Sequence, residues 1–311
     1  MLSYSECNPT DINKRSYIFK YTPLYFHKYI SLMRLDRPIG TWLVLIPTLQ
    51  GYAITEAEYI DILPTMSQLL HILILCAGSI IVRSLGCVIN DIIDRSIDSK
   101  VQRTKDRPLA SGEMQLHEAI ICAIMLAVPS ILMLILLGED ILIAGIIAAC
   151  FIIIYPMMKR IIPFPQLVLG IVINWGVIIG WLLSNNHIEL APLIILYVAS
   201  IFWTLGYDTI YAYQDIDDDD ILKVGSTARM IRHCPMLWIS IFNALYVILY
   251  GLSLLYISED IHIWIIIYII CSIQVVINIR SLNIHSPKQC NKVFRRNKNT
   301  GLLMLLATLL V

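Results

Sequence analysis

Two acidic stretches carry the residues whose types and spacing are best suited to chemistry. The first, at 90–98, reads NDIIDRSID, and the second, at 208–220, reads DTIYAYQDIDDDD. In a helix, residues four apart lie on nearly the same side, so Asn90, Asp94 and Asp98 would form one stripe of oxygen atoms. Asp215 and Asp219 would form a second stripe. Each stripe is a candidate ligand set for a cation.

Crowded carboxylates raise one another's pKa values unless a cation neutralises them. Mg²⁺ prefers one or two carboxylates, and completes its shell with water and with the oxygens of a phosphate-bearing substrate. Two opposed stripes would leave room for such a substrate. The spacing therefore predicts a magnesium site, whose ligands would be Asn90, Asp94, Asp98, Asp215 and Asp219.

The composition indicates that these stripes belong to a membrane protein. Of the 311 residues, 58% are hydrophobic and only 15% are charged, and the mean hydropathy of +0.72 lies outside the range of soluble globular domains. We therefore expect an all-α polytopic fold. Apolar runs predict spans at 39–54, 69–89, 117–137, 141–158, 166–184, 190–213, 236–257 and 261–279, with a short ninth run at 300–311.

Each acidic stretch follows an apolar run, and four spans separate one stretch from the next. This arrangement predicts two similar four-helix bundles facing each other, plus a C-terminal helix. If the spans alternate as predicted, all 23 Lys and Arg residues fall on one side of the membrane. By the positive-inside rule, the N-terminal arm (1–38) and both acidic stretches are then cytoplasmic. The arm has no signal-peptide pattern, so we expect the first span to direct insertion.

Basic residues flank both stretches. Arg34 precedes the first span, Arg103 and Arg107 lie in the loop at 99–112, and Lys223 follows the second stretch. A basic flank can simply anchor a protein to anionic lipid, and a charged loop can simply be solvated. The alternative is contact with a phosphate-bearing substrate, and the position of these cations directly beside the carboxylates is consistent with it.

Two further charges are predicted to lie deeper. Arg83 precedes Asn90 by seven residues, and Asp208 precedes Asp215 by seven, which in a helix is two turns or about 10.5 Å. One interpretation is a buried Arg83–Asp208 salt bridge that neutralises both groups. The other is a compartment for a polar acceptor beneath a diphosphate. A metal-bound diphosphate beside an apolar groove indicates an allylic prenyl diphosphate, whose C–O bond breaks as cations stabilise the leaving group.

An ordered set of segments resembles the UbiA family of intramembrane prenyltransferases over nearly the whole chain. The segments are RLDRPIGTW at 34–42, GCVINDIIDR at 86–95, RTKDRPLASG at 103–112, YPMMKR at 155–160, PQLVLG at 165–170 and DTIYAYQDIDDD at 208–219. The resemblance implies one domain over 1–311, with about nine transmembrane helices around a central cavity and two motifs that bind Mg²⁺ and diphosphate.

The resemblance also implies roles for individual residues. Tyr155 and Lys159 match the family's Tyr-xxx-Lys element, in which the lysine contacts the diphosphate, and Asp208 matches the aspartate facing the acceptor's hydroxyl. Together with the spacing argument, this gives Asp94, Asp208 and Asp215 as the expected catalytic residues. The expected substrate-binding residues are Arg34, Arg83, Arg103, Arg107, Tyr155, Lys159 and Lys223.

The versions of these motifs are similar to those of family members that prenylate 4-hydroxybenzoate in ubiquinone synthesis. The implied partners are polyprenyl diphosphate, 4-hydroxybenzoate and membrane lipid, with no nucleic acid, and the implied location is the bacterial inner membrane. A naphthoate, homogentisate or haem acceptor remains an alternative. A cation transporter is disfavoured, because the predicted acids cluster at one membrane face and form no path across it.

Overall fold

The computed structural model describes residues 10–56, 64–184, 189–258 and 263–311, and within these ranges every regular element is a helix. The first seven α-helices are α1 (Tyr17–Tyr21), α2 (His27–Leu32), α3 (Ile39–Glu56), α4 (Met66–Asp98), α5 (Leu116–Leu137), α6 (Glu139–Met158) and α7 (Pro165–Ile173). The remaining seven are α8 (Gly176–Leu183), α9 (Leu190–Ala212), α10 (Ile216–Leu222), α11 (Thr227–Met230), α12 (Pro235–Ile257), α13 (Ile263–Arg280) and α14 (Pro287–Thr308).

The helices form a membrane-embedded bundle. Among the described residues, seven segments are long and apolar enough to cross a membrane, namely α4, α5, α6, α7 with α8, α9, α12 and α13. The chain is therefore an integral membrane protein of the predicted all-α class. The two other long helices are α3 and α14, which pack against each other. The pairing of the helices into two similar bundles remains a prediction.

Helix α3 is less apolar than the other spans because protein surrounds it. It packs against α8, α14 and α4, and its polar residues Thr48, Gln50 and Thr55 are buried. The Nε2 atom of Gln50 donates a hydrogen bond to the carbonyl oxygen of Gly301 on α14, at 3.4 Å. A helix enclosed by other helices can carry polar groups that would be costly against lipid.

The ninth helix is longer than the short apolar run predicted at 300–311. Helix α14 begins at Pro287, where proline fits the first turn, and the side chain of Ser286 accepts a hydrogen bond from the backbone of Gln289. The prediction was too short because it followed apolar residues alone. The first half of α14 is polar and basic, so hydropathy does not detect it.

The fifth predicted span is interrupted at Asn174. The Nδ2 atom of Asn174 donates hydrogen bonds to the carbonyl oxygens of Gly170 and Ser200 and to Oγ1 of Thr204, at 2.7, 3.0 and 2.8 Å. These bonds tie the break between α7 and α8 to α9. Beyond it, Gly180 lies directly on α3, where an added Cβ would come within 2.1 Å of the Thr48 carbonyl oxygen. Only glycine allows so close a contact.

The second acidic stretch departs from the predicted continuous helix. Helix α9 ends at Ala212, and α10 begins at Ile216 with Asp215 as its N-cap residue. The prediction that Asp208 and Asp215 lie on the same face of one helix is therefore wrong. Aspartate has low propensity for helix interiors and favours the position before a helix, so the chain breaks where aspartates accumulate. Asp219 still follows Asp215 by one turn, since its backbone N–H donates to the Asp215 carbonyl at 2.8 Å.

Candidate active site

A cavity of about 760 Å³ lies inside the bundle and joins a charged end to an apolar body. Along α4 it is lined from Asp91 to Ile74, which corresponds to about 26 Å of helix. Arg34, Asp91 and Arg107 line the charged end, and side chains from α3 to α8 line the apolar body. The cavity can accept a long apolar molecule with an anionic head.

The first acidic stretch lies at the end of α4, and cations neutralise its carboxylates. Asp94 is fully buried and forms ion pairs with Nζ of Lys159 and, at 3.5 Å, with Nη2 of Arg160. Asp98 accepts a hydrogen bond from Nη1 of Arg107 at 2.7 Å. The predicted stripe therefore exists, and the Tyr-xxx-Lys lysine contacts it directly.

The sequence argument missed Asp91, although it lies within the first stretch. The Nη2 atom of Arg34 donates to both carboxylate oxygens of Asp91, at 2.7 and 2.9 Å, and Arg107 lies 3.2 Å from one of them. Asp91 is one residue beyond Asn90 and so points about 100° around the helix from the predicted stripe. A signal was available in the sequence, because an aspartate on the other helix face needs a cationic partner when it is buried.

Asp215 of the second acidic stretch pairs with a cation from the 99–112 loop. The Nε and Nη2 atoms of Arg103 lie 2.7 and 2.5 Å from the two oxygens of Asp215, and Nη1 donates to the Tyr211 hydroxyl at 2.8 Å. Burial, followed by repulsion from Asp215, raises the pKa of Asp219 to about 7. A cation at this position would offset that repulsion.

The 99–112 loop lies between the two stretches. Arg103 contacts the second stretch and Arg107 contacts the first, and the backbone N–H of Gln102 donates to Asp218 at 3.1 Å. Contact of this loop with a phosphate-bearing substrate remains a prediction. Arg103 is oriented by a carboxylate 112 residues away in sequence, and Arg107 by the nearby carboxylates of Asp91 and Asp98 on α4.

The sequence argument also missed Asp11, which lies in the N-terminal arm before α1. Its Oδ2 atom lies 3.1, 3.2 and 2.9 Å from the guanidinium nitrogens of Arg37, Arg103 and Arg107. Burial works against its charge, but the surrounding arginines, Arg107 most strongly, hold the pKa of Asp11 well below its usual value. Nothing local in the sequence identifies this lone aspartate, because its three partners lie 26 or more residues away.

Arg83, Asp208 and Tyr155 line the cavity below the motifs. No ion pair joins Arg83 to Asp208 in the described part of the chain, and Nε of Arg83 is buried without a hydrogen-bond partner there. The interpretation of a simple buried salt bridge is therefore wrong. The Arg83 guanidinium lies against Gly40, where an added Cβ would be 2.5 Å from Nε. Both charges remain available to a ligand.

Most of the predicted site residues converge, but Lys223 does not line the cavity. It is exposed, has a left-handed backbone with φ of 54°, and forms no ion pair with any residue in the described ranges. The predicted residues that line the cavity are Arg34, Arg83, Asn90, Arg107, Tyr155 and Asp208. Asp98 and Arg103 adjoin it through ion pairs with the lining residues Arg107 and Asp11, and Asp215 pairs in turn with Arg103. Asp94 and Lys159, which pair with each other, and Asp219 do not line it.

The donor set suits a hard divalent cation that shares its ligands with a substrate. Across the described ranges, no three acidic, histidine or cysteine side chains come close enough to hold a metal ion by themselves. Mg²⁺ takes few protein carboxylates and fills its other positions with water and phosphate oxygens. The amide and carboxylate oxygens of Asn90, Asp94 and Asp215 therefore fit Mg²⁺ in the presence of a diphosphate.

Comparison with known proteins identifies a matching family and related sequences. The profile of the UbiA prenyltransferase family matches residues 44–307. The mitochondrial 4-hydroxybenzoate polyprenyltransferase of Drosophila pseudoobscura pseudoobscura is 36% identical over 283 residues, which cover 91% of this chain and 70% of that protein. The 4-hydroxybenzoate octaprenyltransferase of Pseudoalteromonas translucida (strain TAC 125) is 34% identical over 292 residues, which cover 93% and 96%.

Solved structures share the fold. A UbiA homolog from Aeropyrum pernix K1 in its apo form has a TM-score of 0.72 at 21% identity, covering 86% of this chain and 96% of that one. A UbiA homolog from Archaeoglobus fulgidus bound to GPP and Mg²⁺ has a TM-score of 0.69 at 17% identity, covering 91% and 99%. Together with the family match over most of the sequence, these findings establish that the chain belongs to the UbiA prenyltransferase family.

Proposed function

We propose that the chain transfers a polyprenyl group from polyprenyl diphosphate to 4-hydroxybenzoate, at the ring carbon ortho to the hydroxyl. The single observation that carries this proposal is the cavity, which joins a cluster of arginines and aspartates to a long apolar body. An amphiphile with a diphosphate head and an isoprenoid tail matches both ends. The names of the two relatives above support the choice of acceptor.

The cations of the site bind and stabilise the diphosphate. Arg34, Arg107 and Lys159 already contact the carboxylates of the first motif, and they lie where a leaving diphosphate would gain negative charge. Mg²⁺ bound to the same oxygens would supply further charge stabilisation of the leaving group. Asn90, Asp94, Asp98, Asp215 and Asp219 would hold it, and the Mg²⁺-bound relative from Archaeoglobus fulgidus supports its presence.

The apolar body protects the reactive fragment. When the allylic C–O bond breaks, its electron pair leaves with the diphosphate and an allylic cation remains. Walls of Ile, Leu and Val exclude the water that would otherwise capture this cation. The ring carbon of the acceptor then supplies the electron pair for the new C–C bond, and the ring loses one proton.

The two deeper charges suit the acceptor. 4-Hydroxybenzoate has a carboxylate at one end and a hydroxyl at the other, so it needs a cation and an anion as partners. Arg83 and Asp208 line the cavity and are not paired with each other. Asp208 would accept the hydroxyl proton and so increase electron density at the ortho carbon.

Product analysis tests this function. Membranes containing the chain are supplied with a prenyl diphosphate, Mg²⁺ and 4-hydroxybenzoate, and the prenylated acid is identified by mass spectrometry. We expect product with 4-hydroxybenzoate and little with a naphthoate, homogentisate or haem. Product from one of those acceptors alone would assign the chain to a different branch of the family. No product from any of them would contradict the proposed activity.

A second experiment tests the acceptor roles by comparing the affinity for the diphosphate with the Michaelis constant of the acceptor. Asp208→Asn should lower turnover with 4-hydroxybenzoate while leaving the affinity for a non-hydrolysable prenyl diphosphate analogue nearly unchanged. Arg83→Gln should raise the Michaelis constant of the acceptor. If the analogue's affinity falls while the acceptor constant stays unchanged, Arg83 and Asp208 belong to the diphosphate site.

We further propose that residues 1–311 form one domain, with the arm at 1–38 and both motifs on the cytoplasmic face of a bacterial inner membrane. The relatives include both mitochondrial and bacterial proteins, so the membrane itself needs a test. In a cysteine-free background, Ser111→Cys and Glu139→Cys place thiols at opposite ends of the bundle. An impermeant thiol reagent should label only position 139 in intact cells. Labelling of only position 111 would mean that the protein has the opposite orientation in the membrane.

A further inference from the structure

Asp11 occupies the point where the arginines of the site meet. Its side chain is only 4% exposed and lines the cavity, and its Oδ2 atom contacts Arg37, Arg103 and Arg107. Its Oδ1 atom is buried without a hydrogen-bond partner in the part of the chain that the structure describes. Asp11 can therefore accept more N–H groups than it does here.

All three arginines have a second anionic partner, but only Arg103 and Arg107 contact the motifs. Arg103 also holds Asp215, Arg107 also holds Asp98 and Asp91, and Arg37 lies 3.2 Å from Asp36. A metal-bound diphosphate needs the same carboxylate oxygens, so the arginines must give them up at least in part. Because a buried charge without a partner is costly, an arginine that turns away needs another anion nearby. Asp11 is already in contact with both arginines.

The backbone of the arm holds Asp11 in place independently of its side chain. The N–H of Asp11 donates to the Arg103 carbonyl at 3.0 Å, and the N–H of Asn13 donates to the Asp36 carboxylate at 2.8 Å. Ile12, between them, is buried. An asparagine at position 11 should therefore keep the arm where it is while removing the charge.

We propose that Asp11 is a positioning residue that holds Arg103 and Arg107, so that the motif carboxylates remain available to metal-bound diphosphate. The inference rests on the proposed function, because it assumes that Mg²⁺ and a prenyl diphosphate bind between the motifs. Without Asp11, Arg103 would keep only Asp215 among its ion-pair partners in the described residues, and Arg107 would keep Asp91 and Asp98. Mg²⁺ and diphosphate would then have to displace Arg103 without another carboxylate to receive it, and Arg107 with Asp91 alone.

The test is a binding measurement on the purified full chain. A non-hydrolysable geranyl diphosphate analogue is titrated calorimetrically at a series of Mg²⁺ concentrations. Asp11→Asn should raise the Mg²⁺ concentration for half-maximal binding about tenfold, which corresponds to about 1.4 kcal/mol. At saturating Mg²⁺ the analogue affinity should return to that of the unchanged protein. Asp11→Glu retains the carboxylate, so its Mg²⁺ concentration for half-maximal binding should lie close to that of the unchanged protein.

Asp106→Asn is the matched control. Asp106 lies in the same loop as the two arginines, is exposed, and forms no ion pair within the described ranges, so its removal changes the net charge alone. We expect its Mg²⁺ dependence to equal that of the unchanged protein. An unchanged midpoint in Asp11→Asn, or an affinity loss that persists at saturating Mg²⁺, would overturn the inference.

A double variant addresses net charge. Asp11→Asn with Arg37→Gln removes one acid and one base, so the net charge equals that of the unchanged protein, and the other ion-pair partner of Arg37 is Asp36, which lies outside both motifs. Arg37 contacts neither motif, so the Mg²⁺ midpoint should stay raised. A return to the original midpoint would mean that net charge alone matters, and would overturn the inference. If the unchanged protein shows no Mg²⁺-dependent binding at all, the proposed function itself fails.

Discussion

The two acidic motifs lie at the same end of the bundle but are built differently. The first is part of a single 33-residue helix, α4, and the side chains of Asp94 and Asp98 are 0% and 8% exposed. The second follows a break after α9, and its Asp215 and Asp220 are 15% and 35% exposed. One motif is therefore fixed by helix packing, and the other depends on a connecting segment.

Both motifs have several cationic partners. Three elements supply cations to the first motif: Arg34 from the chain after α2, Arg107 from the loop and Lys159 from the end of α6. In the second motif, Asp215 pairs with Arg103 from the loop, and Asp220 pairs with Arg229 on α11 and Arg232 just after it. The continuous helix and deeper burial of the first motif therefore distinguish the two, and they indicate a preformed half-site on α4 and a second half-site that adjusts when its ligand binds.

The largest expected effect comes from removing one carboxylate of either motif. Asp94→Asn and Asp215→Asn should each lower turnover by about 100-fold or more, because each removes charge aimed at the metal and diphosphate. Excess chelator should have a similar effect, reversed by Mg²⁺. Steady-state product formation measures all three. Normal turnover in either variant, or in chelator, would contradict the metal role.

The same two variants should differ in stability, which sharpens the comparison. Asp94→Asn leaves Lys159 without its carboxylate in a buried setting and should lower the free energy of unfolding by about 1–3 kcal/mol. Asp215→Asn should cost less, since the Asp215 side chain is 15% exposed and that of Asp94 is 0% exposed. Thermal unfolding in detergent measures the difference. Equal losses would mean that the second motif is as rigidly built as the first.

An intermediate effect is expected from Gly40→Ala. An added Cβ would lie 2.5 Å from Nε of Arg83, so the guanidinium must move away from its position beside the cavity. We expect the Michaelis constant of the acceptor to rise several-fold, with the diphosphate analogue's affinity little changed. Gly86→Ala is the matched control, because its Cβ would meet nothing closer than 3.9 Å. Equal effects in the two variants would argue against a special role for Arg83.

The smallest effect is expected from Lys223→Gln. Lys223 is exposed and has no ion-pair partner in the described residues, whereas Lys159 is paired with buried Asp94. Turnover should fall by less than about threefold, which is within the range for an exposed charge. Lys159→Gln, the comparison variant, should lose far more. A loss in Lys223→Gln as large as that in Lys159→Gln would show that the second motif closes further around the diphosphate.

The sequence predicted the first motif well because it lies on a regular helix. Hydropathy located α4, and helical spacing then put Asn90, Asp94 and Asp98 on one face. The same reasoning failed between Asp208 and Asp215, where the helix ends. Local propensity could have indicated that break, since four consecutive aspartates favour a helix start over a helix interior.

Other features depend on contacts between distant parts of the chain. Asp11 is a single charge in a polar arm, and only the folded structure brings it to Arg37, Arg103 and Arg107. Helix α14 was underestimated because its first half is basic, whereas the predicted span at 39–54 matches α3 (Ile39–Glu56). Patterns of hydropathy report contact with lipid, so they say little about helices or charges enclosed by protein.

The central claim is that one metal-bound diphosphate joins the two motifs, and a double-mutant cycle tests it most directly. Analogue affinity is measured in Mg²⁺ for the unchanged chain, Asp94→Asn, Asp215→Asn and the double variant. If both carboxylates act on one shared ligand, the double variant should bind little worse than the weaker single variant, a strongly non-additive result. Losses that simply add in free energy would mean that the motifs act independently, and would contradict the account.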